Sequence, residues 1–223
     1  MASPKGECDP TVSPDGAWIL YFDSPTYKRQ GSKEPVTLTR VPIAGGPSQT
    51  LISETGIVSV HCARHGSNLC VVDQRQQSQL AFYALDPIKG KGRELARIDL
   101  NLLPEAYQWD LSPDGSRIAF VLGGEQKDRR IRILALSGGA PHELTLTGWI
   151  QIDDLKWAAD GKGWFVVGNS TTSNGLAYID LEGRTHPLQE GLMVAYSIPS
   201  SDGRYLALAK GTAAANVWMI ENF

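Results

Sequence analysis

Three residues with metal-ligating side chains, His61, Cys62 and His65, fall within five positions of one another. Zinc takes such nitrogen and sulfur donors, but no second ligand pair follows at finger spacing. Alternate residues of a strand also point to opposite faces, which keeps His61 and Cys62 from sharing one ion. The sequence therefore assigns no metal and no cofactor. Cys62 and Cys70 are placed almost symmetrically about Gly66, so a hairpin turning there sets them face to face within bridging range. A disulfide and a pair of buried thiols are both compatible with that spacing, and Cys8 is left as the odd cysteine. Four acidic residues, Asp15, Asp114, Asp160 and Asp202, recur at similar intervals. Their spacing distributes them along the chain instead of gathering a carboxylate pair for acid and base work.

Other nucleophile signals are absent from the sequence. It has no Gly-x-Ser-x-Gly elbow, and the double glycines at 45–46, 123–124 and 138–139 lack the Lys-Ser/Thr that a phosphate loop requires. No set of carboxylates or histidines is legible as converging on a common centre. The expectation is a protein without catalytic residues. A formal net charge of -3 with 20% charged residues offers no basic field for nucleic acid. No apolar run is long enough to span a bilayer as a helix, and the start from Met1 to Gly6 carries no signal-like apolar core.

The aspartates lie in a recurring element that fixes the architecture. Ser13-Pro14-Asp15-Gly16, Ala63-Arg64-His65-Gly66, Ser112-Pro113-Asp114-Gly115, Ala158-Ala159-Asp160-Gly161 and Ser200-Ser201-Asp202-Gly203 each read as a reversal between two strands. Proline presets the turn, aspartate bonds its own backbone and glycine supplies the positive φ. The turn glycines lie 50, 49, 46 and 42 residues apart, near the period of a four-stranded propeller blade. An apolar second strand follows each turn, then a third strand, a glycine-rich reversal and a short polar fourth strand. In the fifth repeat the third strand is Val217 to Ile220, and no fourth strand follows. The fold class is therefore all-β: a β-propeller of about five four-stranded blades over residues 1–223, with units near 8–53, 54–100, 101–148, 149–191 and 192–223. The last blade is incomplete. The alternatives are a closed five-bladed ring and a C-terminal arc of a larger propeller, which would expose sticky edges and favour homo-oligomers.

The Ser-Pro-Asp-Gly turns and strands from Asp9 to Phe223 resemble the TolB-like (WD-like) β-propeller repeat family of bacteria. The segment from Gly163 to Phe223 resembles the C-terminal end of propeller sensor regions found behind bacterial serine/threonine kinase or winged-helix domains. The second turn departs from the family pattern through Arg64-His65, the fourth and fifth through Ala159 and Ser201. The resemblance implies a non-enzymatic sensor that binds an unidentified protein or peptide outside the cytoplasm. That setting favours the bridged form of Cys62 and Cys70. Related propellers also serve as parts of peptidases or lactonase-like hydrolases, and a self-assembling structural fragment is a third alternative. Candidate binding residues are Tyr27, Lys28 and Arg29, in the long insertion of the first unit, and Trp149, on the link between the third and fourth units. The other tryptophans suit packing between blades.

Overall fold

A computed structural model describes residues 8–24, 32–64, 66–99, 101, 107–122, 128–172, 174–191 and 193–211. Tyr27, Lys28, Arg29, His65 and the expected strand at 217–220 lie outside these residues. The first blade comprises β1 (Cys8–Val12), β2 (Trp18–Phe22), β3 (Val36–Pro42) and β4 (Gln49–Glu54). The second comprises β5 (Ile57–Cys62), β6 (Cys70–Gln76), β7 (Gln79–Asp86) and β8 (Gly90–Asp99). The third comprises β9 (Trp109–Leu111), β10 (Arg117–Leu122), β11 (Asp128–Ala135) and β12 (His142–Thr147). The fourth comprises β13 (Trp149–Trp157), β14 (Gly163–Ser170), β15 (Asn174–Asp180) and β16 (Thr185–Glu190). The fifth shows β17 (Met193–Pro199) and β18 (Leu206–Gly211).

Within each sheet the strands pair in chain order and antiparallel. The first strands adjoin one another in succession, β1 beside β5, β5 beside β9, β9 beside β13 and β13 beside β17. Four complete blades and a two-stranded partial one thus fan around a common axis, with the first strand of each innermost.

Alternation creates the packing. Leu20, Phe22, Leu38, Val60, Val72 and Leu85 fill the space between the first two blades. Phe82, Trp109, Leu111, Ile118 and Phe120 do so between the second and third. Val121, Ile131, Leu155, Trp157, Trp164 and Val166 pack the third against the fourth. On the terminal blades Val12, Tyr196 and Ile198 of the innermost strands remain half exposed or more. Pro187 lies on β16, the outer strand of the fourth blade, where its missing N–H blunts the sheet edge.

The turns have the predicted chemistry. Asp114 accepts hydrogen bonds from Ser112 Oγ, Ser116 N and Ser116 Oγ, while Ser112 Oγ accepts from Arg117 N at 2.9 Å. Asp15 and Asp202 repeat the arrangement with Ser13 and Ser200, and Asp160 accepts from Lys162 N. Gly16, Gly66, Gly115, Gly161 and Gly203 share φ values of 64–71°, so Gly66 takes the same backbone angle as the other turn glycines although its turn has neither proline nor aspartate. All five turns project from one end of the arc.

Candidate functional site at the axis

At the turn-bearing end, the innermost strands of the second, third and fourth blades bring His61, Asp110 and Lys156 together. Each is five residues before its turn glycine, so the repeat places them at equivalent positions on successive blades. Asp110 is the hub. Its Oδ1 lies 3.0 Å from His61 Nδ1, and its Oδ2 accepts from Arg64 Nη2 at 2.9 Å and from the backbone N–H of Trp157 at 2.8 Å. Arg64 Nη1 also donates to the Trp157 carbonyl at 2.7 Å, and Arg64 N donates to the Pro113 carbonyl. One side chain from the second turn thereby joins three blades. The departure at Arg64 from the repeated proline is the origin of this clamp: the turn gives up a preset angle and gains a guanidinium whose planar donors suit a carboxylate and a carbonyl together.

Two further buried carboxylates tie strands at the same end. Asp154 Oδ2 accepts from Ser197 N and Oγ of the fifth blade, and its Oδ1 lies 3.5 Å from Lys156 Nζ. Asp73 faces the β-bulge of β5, taking the freed Ser59 N–H and Ser59 Oγ on one oxygen and Tyr107 Oη on the other. Ser59 Oγ in turn accepts from Trp109 Nε1 at 2.8 Å, and the His61 ring meets the Trp109 ring edge-on at 4.3 Å.

The environment separates these groups electrostatically. Burial pushes the Asp110 carboxyl upward, but the Arg64 charge and the His61 hydrogen bond outweigh it and hold the pKa far below the ordinary carboxylate range. Burial raises Asp73 despite its hydrogen bonds. It raises Tyr107 further, keeping the phenol a donor to Asp73. For His61, burial and the nearby Lys156 charge lower the pKa against the opposing pull of Asp110 and Asp73, so the imidazole is neutral at pH 7. Beside a carboxylate, neutral imidazole carries its proton on Nδ1 and leaves Nε2 as an acceptor. This makes a proton-accepting dyad. No hydroxyl or thiol contacts Nε2 among the described residues.

Convergence of a histidine and carboxylates at the axis is thus a correction to the sequence reading, which found none legible. Trp149 is also relocated: it is the first residue of β13, paired with Ser170, and not part of a free link. Trp149 is 5% exposed, with Nε1 3.5 Å from Thr185 Oγ1, on the wall of a cleft of about 260 Å³ at the opposite end. A larger cleft, about 530 Å³, opens at the turn end between the fourth and fifth blades, where Phe165, Tyr178, Arg204 and Tyr205 line it.

A disulfide joins Cys62 to Cys70, directly paired residues of β5 and β6 with Cα atoms 3.9 Å apart. The bridge occupies Cys62, and among the described residues no three His, Cys, Asp or Glu side chains are grouped to hold a metal ion. By closing the short loop that carries Arg64, the bridge contributes about 2–3 kcal/mol on the loop-entropy account. Cys70→Ala is expected to lower the urea midpoint accordingly, and reductant to lower that of the wild type equally. An unchanged midpoint on reduction would refute this contribution.

No protein-family model and no curated protein matches the sequence. Among solved structures the chain is similar to TolB from Acinetobacter baumannii, at 20% identity and a TM-score of 0.67 over 91% of this chain and 49% of that one. It is similar to a putative TolB from Agrobacterium tumefaciens, at 19% identity and a TM-score of 0.70 over 96% and 73% of the respective chains. A puromycin hydrolase mutant complexed with PGG matches at 17% identity and a TM-score of 0.57, over 92% of this chain and 33% of that one. The chain spans about half the length of the Acinetobacter TolB chain. These likenesses show a shared β-propeller fold, TolB-like in structure.

Proposed function

We propose that the chain is a non-enzymatic recognition propeller whose protein or peptide partner docks on the turn-bearing end of the arc. The observation that carries this reading is the saturation of Asp110: both carboxylate oxygens are engaged in bonds that hold blades together. Asp73 and Asp154 are similarly committed to neighbouring strands, so the axial carboxylates serve the scaffold. The turns beside them are closed by their own hydrogen bonds, and the aromatic cleft formed by Phe165, Tyr178 and Tyr205 opens on the same end. Tyr205 is 74% exposed there, a large amphipathic side chain of the kind that anchors interfaces.

The disulfide and the TolB-like fold support an extracytoplasmic setting. The sensor role behind a kinase or winged-helix domain, implied by the sequence resemblance, gains no further support from the matched structures described above.

The His61–Asp110 dyad favours one competing reading, a hydrolase in which His61 is the base. The two readings separate in one assay. Under the recognition reading, ester, lactone and peptide substrates show no turnover that His61→Gln removes. A photo-crosslinker at Tyr205 gives a discrete adduct in extract of the source organism, and one at Thr172, on the opposite end, does not. Turnover abolished by His61→Gln, or adducts only from Thr172, would overturn the proposal.

A further inference from the structure

We propose that the axial cluster binds a carboxylate through His61, Lys156 and Arg64, an assignment that deepens the recognition reading above and rests on it. Donors outnumber acceptors in the cluster. Asp110 has no oxygen to spare, and Asp154 is committed to Ser197 and Lys156. Lys156 carries three N–H donors, and its ion pair with Asp154 at 3.5 Å is long. Arg64 carries five, with Nη1 on Trp157 O and Nη2 on Asp110. His61 Nε2 has no protein partner among the described residues. All three side chains reach solvent at the same end, with exposures of 18%, 17% and 19% for His61, Arg64 and Lys156. A surplus of donors around an open acceptor nitrogen calls for a ligand that supplies acceptor oxygens, with a proton taken up from solvent at Nε2.

Charge selects among such ligands. Arg64 and Lys156 are offset by Asp110 and Asp154, and Asp73 adds a further carboxyl beside the ring, so the neutral-imidazole cluster has no positive excess. One added negative charge is compensated when His61 Nε2 takes up one proton and becomes a donor. A dianion would leave one more charge unmatched beside these carboxylates. The monoanionic carboxylate is therefore the fitting class, supplied either by a small organic acid or by an acidic side chain of a polypeptide. Binding consumes a proton from solvent and strengthens as pH falls toward the imidazole range, with Asp110, Asp73, Lys156 and Arg64 as the charged groups facing the ring or its carboxylate partner.

The test is NMR titration of the His61 Cε1–H resonance, assigned by its loss in His61→Gln. Propionate, its neutral isostere propionamide and an end-capped Gly-Asp-Gly peptide are the probes. A saturable shift is expected with propionate or with the peptide but not with propionamide, together with a rise of about one pH unit in the His61 titration midpoint. Lys156→Met and Lys156→Gln should each weaken binding about ten-fold or more, as loss of a charged hydrogen bond does, read on the folded protein that the His61 resonance reports. Saturation by propionate identifies a small-acid site, and saturation by the peptide alone identifies an acidic side chain. An equal response to propionamide, indifference to both Lys156 variants, or no shift with any probe would overturn the assignment. If the Tyr205 adduct persists in the last case, recognition stands and only the carboxylate assignment falls.

Discussion

Asp110→Ala destabilises the protein by about 3–5 kcal/mol, the cost of stripping one partner from a buried ion pair. The carboxylate is almost inaccessible, and its removal leaves three groups unsatisfied at once: the Arg64 guanidinium, the His61 Nδ1–H and the Trp157 backbone N–H. Each was desolvated on the understanding that an acceptor would be present. The loss should appear as a large drop in the urea midpoint, and Arg64→Met in the same background should recover part of it by removing the stranded charge. The pair of variants forms a double-mutant cycle whose coupling exceeds about 1 kcal/mol if the clamp exists. A drop below about 1 kcal/mol for Asp110→Ala would mean that water already reaches the cluster.

Acid titration gives the same residue a second signature. Its folded pKa lies below its unfolded value, so the stabilisation is present above the unfolded pKa and is lost as pH falls through the depressed folded one. The wild type should retain its advantage over Asp110→Ala at pH 5 and lose it progressively below pH 4.

The second large effect is at Trp157. The ring is fully buried between the third and fourth blades, 4.6 Å from the Trp164 ring, with the Arg117 guanidinium 4.7 Å above it and its Nε1–H donating to the Asp110 carbonyl. Trp157→Ala removes the largest filler of that interface and is expected to cost about 3–5 kcal/mol, measured by urea denaturation. Trp157→Phe keeps most of the apolar volume and loses the indole bond, so it should cost markedly less. Equal losses for the two variants would show that the hydrogen bond, not the packing, dominates.

The parts of this molecule that were legible in sequence are those that repeat. Ser112, Asp114 and Gly115 encode a turn by local chemistry, and four of the five turns carry the aspartate that makes it recognisable. Cys62 and Cys70 were legible for the same reason, since hairpin geometry about Gly66 fixes their facing. The axial cluster was hidden because its members belong to different strands far apart in the chain. Reading down the repeats instead of along them would have exposed part of it: five residues before successive turn glycines stand His61, Asp110 and Lys156, a column of ionisable groups where the flanking repeats have Thr11 and Ile198.

Asp73 and Asp154 escape even that column. One sits on a second strand opposite a bulge, and the other follows a bulge within its own strand, so register and not offset brings each to its partner. Arg64 was visible only as a broken turn pattern. Its reach to the Trp157 carbonyl depends on the fan of blades, which no local signal contains. Trp149 shows the opposite error, a residue after a glycine taken for a linker although cross-strand pairing to Ser170 had already begun.

Arg64 also bears on how the molecule comes apart. Because one guanidinium fastens the second blade to the fourth across the third, those three sheets should open to solvent exchange together. The first and fifth, outside its span, are free to fray separately. Repeat proteins ordinarily unzip neighbour by neighbour; here a single cationic strut welds the middle of the array into one cooperative block.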